Sequence, residues 1–271
     1  MKQMQVEKIG NRGLLFSFKE PFLTNVYVII GHERVFVLDT FLGSDSMEIV
    51  KQRLEDEGHS HQHMVVFNSH GDYDHYWGNA SIDNALIIGH EQCQARILKE
   101  GEEALHVHGE HKRGEVLIKP PSLVFSDRLS FPDEGLTFFY TPGHTIDSAS
   151  CYDMEDKVLF AGDNVEPPFP YVYNTDVNQF YETLMSYRDI EWNVMIASHA
   201  PPLFDSTLLE SNIKYLESLK NWKMDLSKLD KEEFHMHYHN VIYLEGAFSK
   251  EEITPDMKKH IDDVKKTMQH Q

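Results

Sequence analysis

The chain has few cysteines, few basic residues and no long apolar run. Cys93 and Cys151 are too few for a disulfide framework, so we expect free buried thiols, with a single bridge as the alternative. No apolar run approaches the roughly 18 residues of a transmembrane helix. The segment from Met1 to Gly10 is polar, without the apolar core of a signal peptide. We therefore expect a cytoplasmic protein that does not bind a membrane.

The shortage of basic residues has a second consequence. There are 25 Lys and Arg against 44 Asp and Glu, a formal net charge of -19. Such a surface repels phosphate backbones and anionic headgroups, so nucleic acid is not an expected partner. A small-molecule substrate is the expected partner. Hydrophobic residues make up 41% of the 271 residues, enough for the core of one large domain.

The apolar pattern alternates between short strands and amphipathic helices. The helix over Ser44 to Glu57 is expected to be capped by Ser44 or Asp45, and the helix from Glu91 to end at Gly101. Because each half has its own strands and helices, we predict an α/β (α+β) fold, a four-layer αβ/βα sandwich. We assign residues 1–225 to this domain and 226–271 to a charged helical extension, which could support a homodimer.

Strands are predicted at Leu14–Phe18, Asn25–Ile30, Arg34–Leu38, Met64–Phe67, Ala85–Ile88, Leu123–Phe125, Arg128–Phe131, Leu136–Tyr140, Ser148–Tyr152, Lys157–Phe160 and Asn193–Ala197. Further helices are predicted at Asp176–Ile190 and Thr207–Lys223.

Histidine is abundant, with 17 residues, many of them in local clusters. The run His59, His61 and His63 is predicted to lie in a solvated loop. The cluster His106, His108 and His111 is assigned to a surface insertion, with a position at the mouth of an active site as the alternative. The group His235, His237 and His239 alternates as on one face of an extended segment.

Histidine or aspartate residues follow shortly after four of the predicted strands. The first is followed by His70, Asp72, Asp74 and His75. The other three are followed by His144, by Asp163 and by His199. Strand ends are rigid, and binding sites collect in the loops beyond them. Imidazole and carboxylate together suit zinc, iron or manganese, and seven such groups suit two divalent ions bridged by Asp163.

This set resembles the signature of the metallo-β-lactamase superfamily, His-x-His-x-Asp-His followed by a lone His, a lone Asp and a lone His. Gly78-Asn79, Thr-Pro-Gly-His-Thr and Ala-Gly-Asp extend the resemblance. It implies that His70, Asp72 and His144 bind one metal, that Asp74, His75 and His199 bind the other, and that Asp163 bridges them. It also implies hydrolysis of an ester, thioester, lactone or phosphoester by metal-activated water, with Asp74 and Asp163 as the catalytic residues.

The sequence departs from that signature at Asp72, where the superfamily usually has histidine. With a third carboxylate, a site that holds two divalent ions and a hydroxide has a net charge near zero. The metal ions then activate a bound water less strongly. It also moves the preference from zinc toward iron or manganese. Flavodiiron proteins resemble this chain in carrying an acidic residue there. A di-iron protein that binds, reduces or senses oxygen is therefore the alternative to a hydrolase.

Overall fold

The computed structural model describes residues 4–59 and 61–270. The first three residues of the assigned domain (1–225) and the last residue of the assigned extension (226–271) lie outside the described residues. The described chain forms two sheets and seven α-helices and divides into two compact units. Unit 1 comprises the described residues up to Thr141, with Asp147–Gly162 and Trp192–Phe204. Unit 2 comprises Pro142–Ile146, Asp163–Glu191 and the described residues from Asp205 onward.

Unit 1 contains a seven-stranded sheet with its strands in chain order. The strands are β1 (Met4–Ile9), β2 (Gly13–Phe18), β3 (Thr24–Ile30), β4 (Arg34–Leu38), β5 (His63–Asn68), β6 (Leu86–His90) and β7 (Leu123–Phe125). The first four pair antiparallel, and β4 to β7 pair parallel. Parallel neighbours need crossover connections. These are supplied by the helices α1 (Ser44–Asp56), α2 (Tyr73–Tyr76) and α3 (Glu91–Val107).

The second sheet of unit 1 has five strands in the order β12-β11-β10-β9-β8. They are β8 (Arg128–Phe131), β9 (Leu136–Tyr140), β10 (Ala149–Asp153), β11 (Val158–Gly162) and β12 (Val194–Ala197). Only the β11–β12 pairing is parallel. The ends of β9, β11 and β12 are therefore fixed by hydrogen-bonded neighbours.

Two-residue alternation along the strands builds two separate cores. Leu15 and Tyr27 point into a core shared with the five-stranded sheet. Phe16 and Val28 point to the opposite face, where Met47 of α1 packs with them. Successive side chains of a strand face opposite sides, and both sides are apolar here. The seven-stranded sheet is therefore covered on both faces.

Unit 2 is helical. It contains α4 (Val177–Arg188), α5 (Thr207–Lys220), α6 (Lys231–Ala247) and α7 (Pro255–Met268). Asp230 and Glu233 form a capping box at the start of α6, and Thr254 caps α7. These caps satisfy backbone N–H groups that have no partner within the helix. Among all described helices, none has the length and apolar content required to cross a bilayer.

Most predicted elements are present within a few residues, but several details were wrong, among them the loop assignment of His63, which begins β5. Helix α3 continues through Gly101 to Val107, and Gly101 is buried where an added Cβ would lie 2.9 Å from Ile118. That glycine permits close packing rather than ending the helix. Helix α1 is capped by Gly43, not by Ser44 or Asp45. The group His235, His237 and His239 lies on helix α6, not on an extended segment.

Both cysteines are buried and free, as predicted. Strand β1 was not predicted, because its sequence mixes polar residues with apolar ones and its exposure is irregular. It pairs along its full length with β2. A strand of such mixed composition is held in the sheet by its ladder of backbone hydrogen bonds, which hydropathy does not reveal.

Candidate metal centre

Three predicted ligands of unit 1 converge on one point. Ligand atoms of Asp74, His75 and His199 all lie within 4.8 Å of one another. Asp74 Oδ2 is 3.5 Å from His75 Nε2 and 3.5 Å from His199 Nε2. Asp74 and His75 lie on the short helix α2 after β5, whereas His199 follows β12, so two sheets contribute to the group. One carboxylate and two imidazoles form a donor set suited to zinc or iron.

The two imidazoles of this group are oriented through their other nitrogen. His199 Nδ1 donates to the Leu23 carbonyl at 2.6 Å, which leaves Nε2 as the acceptor atom of the neutral ring. His75 Nδ1 is 2.8 Å from Asp39 Oδ2. A carboxylate or carbonyl partner on the second nitrogen is the usual arrangement behind a metal-binding histidine. The geometry therefore fits a metal between the Nε2 atoms and Asp74.

Asp39 is a residue of the candidate site that was not identified from the sequence. It is fully buried at the end of β4. Besides facing His75, it accepts hydrogen bonds from the Ser69 backbone N–H at 2.8 Å and from Ser69 Oγ at 2.7 Å. Asp39 thus fixes both the ring of His75 and the chain just before His70. Its position immediately after an apolar strand, beside the strand that leads to His70, was the available signal.

A buried polar network fixes the backbone of α2. The His75 carbonyl accepts from the Thr40 backbone N–H at 2.9 Å and from Asn68 Nδ2 at 3.3 Å. Asn79 Nδ2 donates to Asn68 Oδ1 at 2.8 Å. Gly78 permits the close approach, because a Cβ there would lie 2.3 Å from the Thr40 carbonyl. The Gly78-Asn79 pair therefore supports the ligand helix.

His70 and Asp72 lie side by side in unit 1. His70 Nε2 is 3.1 Å from Asp72 Oδ2, and its Nδ1 is 3.0 Å from Ser69 Oγ. The other oxygen of Asp72, Oδ1, accepts from Arg96 of α3. Arg96 also reaches Asp147, which is completely buried. Arg96 is the second residue missed by the sequence analysis, since nothing in its helix distinguishes it from other surface arginines.

His144 and Asp163 meet within unit 2. His144 Nε2 is 3.7 Å from Asp163 Oδ2. Its Nδ1 donates to the Tyr171 carbonyl at 3.0 Å, and its backbone N–H donates to Asn164 Oδ1 at 2.8 Å. Asn164 Nδ2 in turn donates to the hydroxyl of Tyr187 on α4 at 2.9 Å. His144 is therefore oriented in the same way as His199, by a backbone carbonyl behind its ring.

The spacings of these side chains fit metal ligands. Bonds of 2.0–2.1 Å in a tetrahedral site place ligand atoms about 3.3 Å apart. The pair His70 and Asp72, the group around Asp74, and the pair His144 and Asp163 show separations of 3.1, 3.5 and 3.7 Å. Each separation is close to the tetrahedral value. The donor types and spacings therefore both suit divalent metal.

The three histidines of the cluster His106, His108 and His111 have different surroundings in the structure. His106 is exposed on α3, as predicted for a surface insertion. His108 stacks on Tyr73 with ring centroids 4.4 Å apart, and His111 Nδ1 is 2.8 Å from the Tyr73 hydroxyl. Phe22 contacts both His111 and His199 at centroid distances of 5.9 and 5.8 Å. This group, which we call the aromatic wall (Phe22, Tyr73, His108, His111), lies against a predicted ligand.

Unit 2 has its own aromatic contacts near His144. Tyr173 packs edge-on to the His144 ring at 5.2 Å and contacts His239 of α6. Tyr171 also contacts His239. Phe169 belongs to the same loop, between β11 and α4, and stacks on buried Tyr215. The loop therefore has an aromatic part beside a ligand and an apolar part in the core.

An α/β fold of two sheets, with histidine and aspartate beyond the strand ends, defines a class of metal-binding sandwich proteins. The family model of the metallo-beta-lactamase superfamily matches residues 20–224. The chain therefore belongs to the metallo-β-lactamase superfamily. The predicted fold class and family are confirmed, and this fold implies divalent metal ions.

Solved structures agree with this assignment of the fold. A metallo-beta-lactamase from Pontibacter korlensis is similar with a TM-score of 0.63 at 19% identity, covering 79% of this chain and 99% of that one. The metallo-beta-lactamase FIM-1 from Pseudomonas aeruginosa, in a mono-zinc form, has a TM-score of 0.63 at 14% identity, covering 80% and 96%. At such identities the likeness concerns the fold alone.

A curated relative is also distant. The human protein named acyl-coenzyme A thioesterase MBLAC2 is 23% identical over 162 residues, covering 52% of this chain and 58% of the relative. The chain thus matches little more than half the length of that relative. The bovine protein of the same name matches over the same shares.

Proposed function

We propose that this protein is a metal-dependent hydrolase of a small ester-like substrate, with a binuclear centre formed by His70, Asp72, Asp74, His75, His144, Asp163 and His199. The observation that carries the proposal is the group of Asp74, His75 and His199, whose imidazoles have Nδ1 fixed and Nε2 facing one carboxylate. When bound, a pair of divalent ions supplies a water of lowered pKa and polarises the substrate.

In this proposal, other residues of the protein hold the metal ligands in fixed orientations. His75 and His199 are held by Asp39 and by the Leu23 carbonyl, so they need little rearrangement to bind. Asp74 faces both imidazoles and would orient a water beside them. Asp163 would bridge the two ligand sets, as the family resemblance implies. Such a preorganised donor set contributes to catalysis because its reorganisation cost is already met in folding.

Among ester, thioester, lactone and phosphoester substrates, we place thioesters first. The support is the name of the human relative, together with the aromatic wall beside His199, which offers apolar contact area for an acyl group. The charge of -19 opposes large polyanionic substrates. Small thioesters are therefore expected to react better than coenzyme A esters.

The test is a thioester assay that detects the released thiol, with S-acyl glutathione and acyl-coenzyme A compared side by side, and with lactone and phosphodiester panels in parallel. His144→Ala and Asp163→Ala should lose activity and metal together. His235→Ala, an exposed histidine of α6, is the matched control and should change neither. Full metal content in both ligand variants would contradict the proposed centre.

The acidic residue at position 72 favours one other function, a di-iron protein that binds, reduces or senses oxygen. That function requires iron in the protein as purified from cells and an absorption change on exposure to air. A colourless protein containing zinc alone, active on one of the ester panels, would exclude it in favour of hydrolysis.

A further inference from the structure

Arg96 joins two carboxylates that belong to different parts of unit 1. Its Nη2 donates to Asp72 Oδ1, and its Nη1 donates to Asp147 Oδ1 at 3.2 Å. Asp147 is fixed in turn, because its Oδ2 accepts the backbone N–H of Gly71 at 2.7 Å. The guanidinium therefore connects helix α3 to the loop that carries His70 and Asp72.

This contact distinguishes the two oxygens of Asp72. Oδ1 is occupied by Arg96, whereas Oδ2 is 3.1 Å from His70 Nε2. That distance is close to the separation of about 3.3 Å between two ligand atoms of one tetrahedral ion. The Asp72 carboxylate is thus oriented with one oxygen toward the nitrogen that would bind metal.

We propose that Arg96 is a positioning residue that makes Asp72 a one-oxygen metal ligand, in the place where superfamily members usually have an imidazole. The inference rests on the proposed binuclear centre. An imidazole offers one donor nitrogen and is held from behind through the other. The pair of Asp72 and Arg96 reproduces both features, with Oδ2 as the donor and Oδ1 held from behind.

The chemistry of arginine suits this role. Its planar fork presents two donors in fixed directions, so it can hold two carboxylates at once, which a lysine ammonium does less rigidly. An arginine side chain keeps its positive charge over the whole pH range in which a protein is folded. Arg96 is therefore a permanent cation beside Asp72.

The same contact moderates the charge introduced by Asp72. Arg96 is shared with Asp147 and, along its own helix, with Glu100, so its single positive charge partly offsets the negative charge of these carboxylates and of Asp72. Arg96 thus reduces, without removing, the excess negative charge created by an aspartate in this position.

A purely structural role for Arg96 makes a different prediction, and a double-mutant cycle separates the two. If Arg96 only ties α3 to the loop, its loss has the same effect whatever residue occupies position 72. If Arg96 positions the carboxylate, its loss should weaken metal binding when residue 72 is aspartate. The same loss should have no effect when histidine replaces Asp72. Coupling between the two substitutions therefore measures the proposed role.

The experiment compares the wild type with Arg96→Met, Asp72→His and the double variant. Zinc per chain is measured by elemental mass spectrometry, affinity by competition with a chromogenic chelator, and thermal unfolding without metal. Arg96→Met should weaken one of the two zinc ions by about 10–100-fold, the usual effect of losing a group that orients a ligand. Lys99→Met, an exposed cation on the same helix, is the matched control and should change nothing.

Each zinc ion should bind to the double variant with nearly the same affinity as to Asp72→His, within about threefold. Unchanged affinity in Arg96→Met, an equal loss in both backgrounds, or loss of metal from Asp72→His would overturn this inference while leaving the binuclear centre intact. Wild-type protein that binds no metal pair would instead overturn the proposed function, and this inference with it.

Discussion

Two fully buried histidines, His75 in unit 1 and His237 in unit 2, have opposite surroundings. His75 has Asp39 at Nδ1, and its Nε2 faces Asp74. His237 has the Tyr215 hydroxyl at 3.3 Å from Nδ1, and its Nε2 is 2.9 Å from Nε2 of His260. Both rings are enclosed by protein, but only His75 has carboxylates on both sides.

The difference shows that burial and clustering of histidine do not by themselves indicate a metal site. The carboxylates beside His75 add negative charge that a bound cation would balance. At His237, burial and the neighbouring His260 lower the pKa to about 3, so the ring is neutral and belongs to the helical core. The predictions below test this contrast, beginning with the largest expected effect.

Removing Asp74 should have the largest effect. Asp74→Ala deletes the carboxylate that faces both His75 and His199. We expect the loss of one metal ion per chain and a fall in hydrolytic activity of more than about 100-fold, since even indirect supports of a ligand contribute 10–100-fold. Metal analysis and the thioester assay measure both. Asp263→Ala, an exposed aspartate near His260, is the control, and equal metal loss there would remove the contrast.

Asp39 should come next. Asp39→Asn keeps the size of the side chain but removes the negative charge behind His75 and changes the hydrogen bond to its Nδ1. We expect metal affinity to fall by about 10–100-fold, measured by chelator competition. The fold should persist, because an amide oxygen can still accept from Ser69. If affinity is unaltered, Asp39 supports only the backbone.

His237 should control acid sensitivity rather than metal content. It is packed between Tyr215 of α5 and His260 of α7, with Asp263 near His260. Its folded pKa of about 3 is depressed, so below its unfolded pKa of about 6.5 the unfolded chain binds more protons. Stability from this group is therefore full above pH 6.5 and is lost as the pH falls toward 3.

His237→Gln should make the fall in Tm between pH 7 and pH 4 smaller. A chain of this size loses roughly 2–4 °C in Tm for each kcal/mol, so a difference of several degrees is expected. His260, whose pKa is also lowered by burial, retains part of the effect. Thermal unfolding across the pH series measures it, with zinc content as the second readout. This account of His237 would be contradicted if the Tm of the variant fell with pH as steeply as that of the wild type, or if its zinc content changed.

The smallest effect is expected in the support of His144. Tyr187→Phe removes one hydrogen bond to Asn164, which in turn holds the His144 backbone. The loss should be about 1 kcal/mol of unfolding free energy, measured by chemical denaturation, with metal content preserved. Loss of a metal ion in this variant would mean that the loop of His144 depends on the helix more than its other contacts indicate.

Much of the fold was predictable because the signals are local. Apolar runs such as Val65-Val66-Phe67 are buried strands, and the two-residue alternation of Leu15 and Phe16 is seen in the two cores. The errors also have local causes. Gly101 resembles a helix end in sequence, yet it is a close contact inside α3, and only packing against Ile118 reveals it.

The proposed ligands follow from sequence motifs, but the residues that orient them were not identified from the sequence. Asp39 and Arg96 lie far in sequence from the side chains that they hold, and neither belongs to a motif. The histidine clusters were misleading for the same reason. Spacing did not distinguish His111, which contacts Tyr73, from exposed His106, because the fold alone decides which side chains meet.

Metal content is the most direct test of the central claim that this chain forms a hydrolytic binuclear centre. Protein purified without oxygen from unsupplemented cells would be analysed by elemental mass spectrometry beside Asp74→Ala and Asp263→Ala. We expect two divalent ions per wild-type chain, with zinc or manganese predominant, and one fewer in Asp74→Ala alone. Two irons per chain would contradict the hydrolase in favour of oxygen chemistry, and absence of metal would contradict the centre itself.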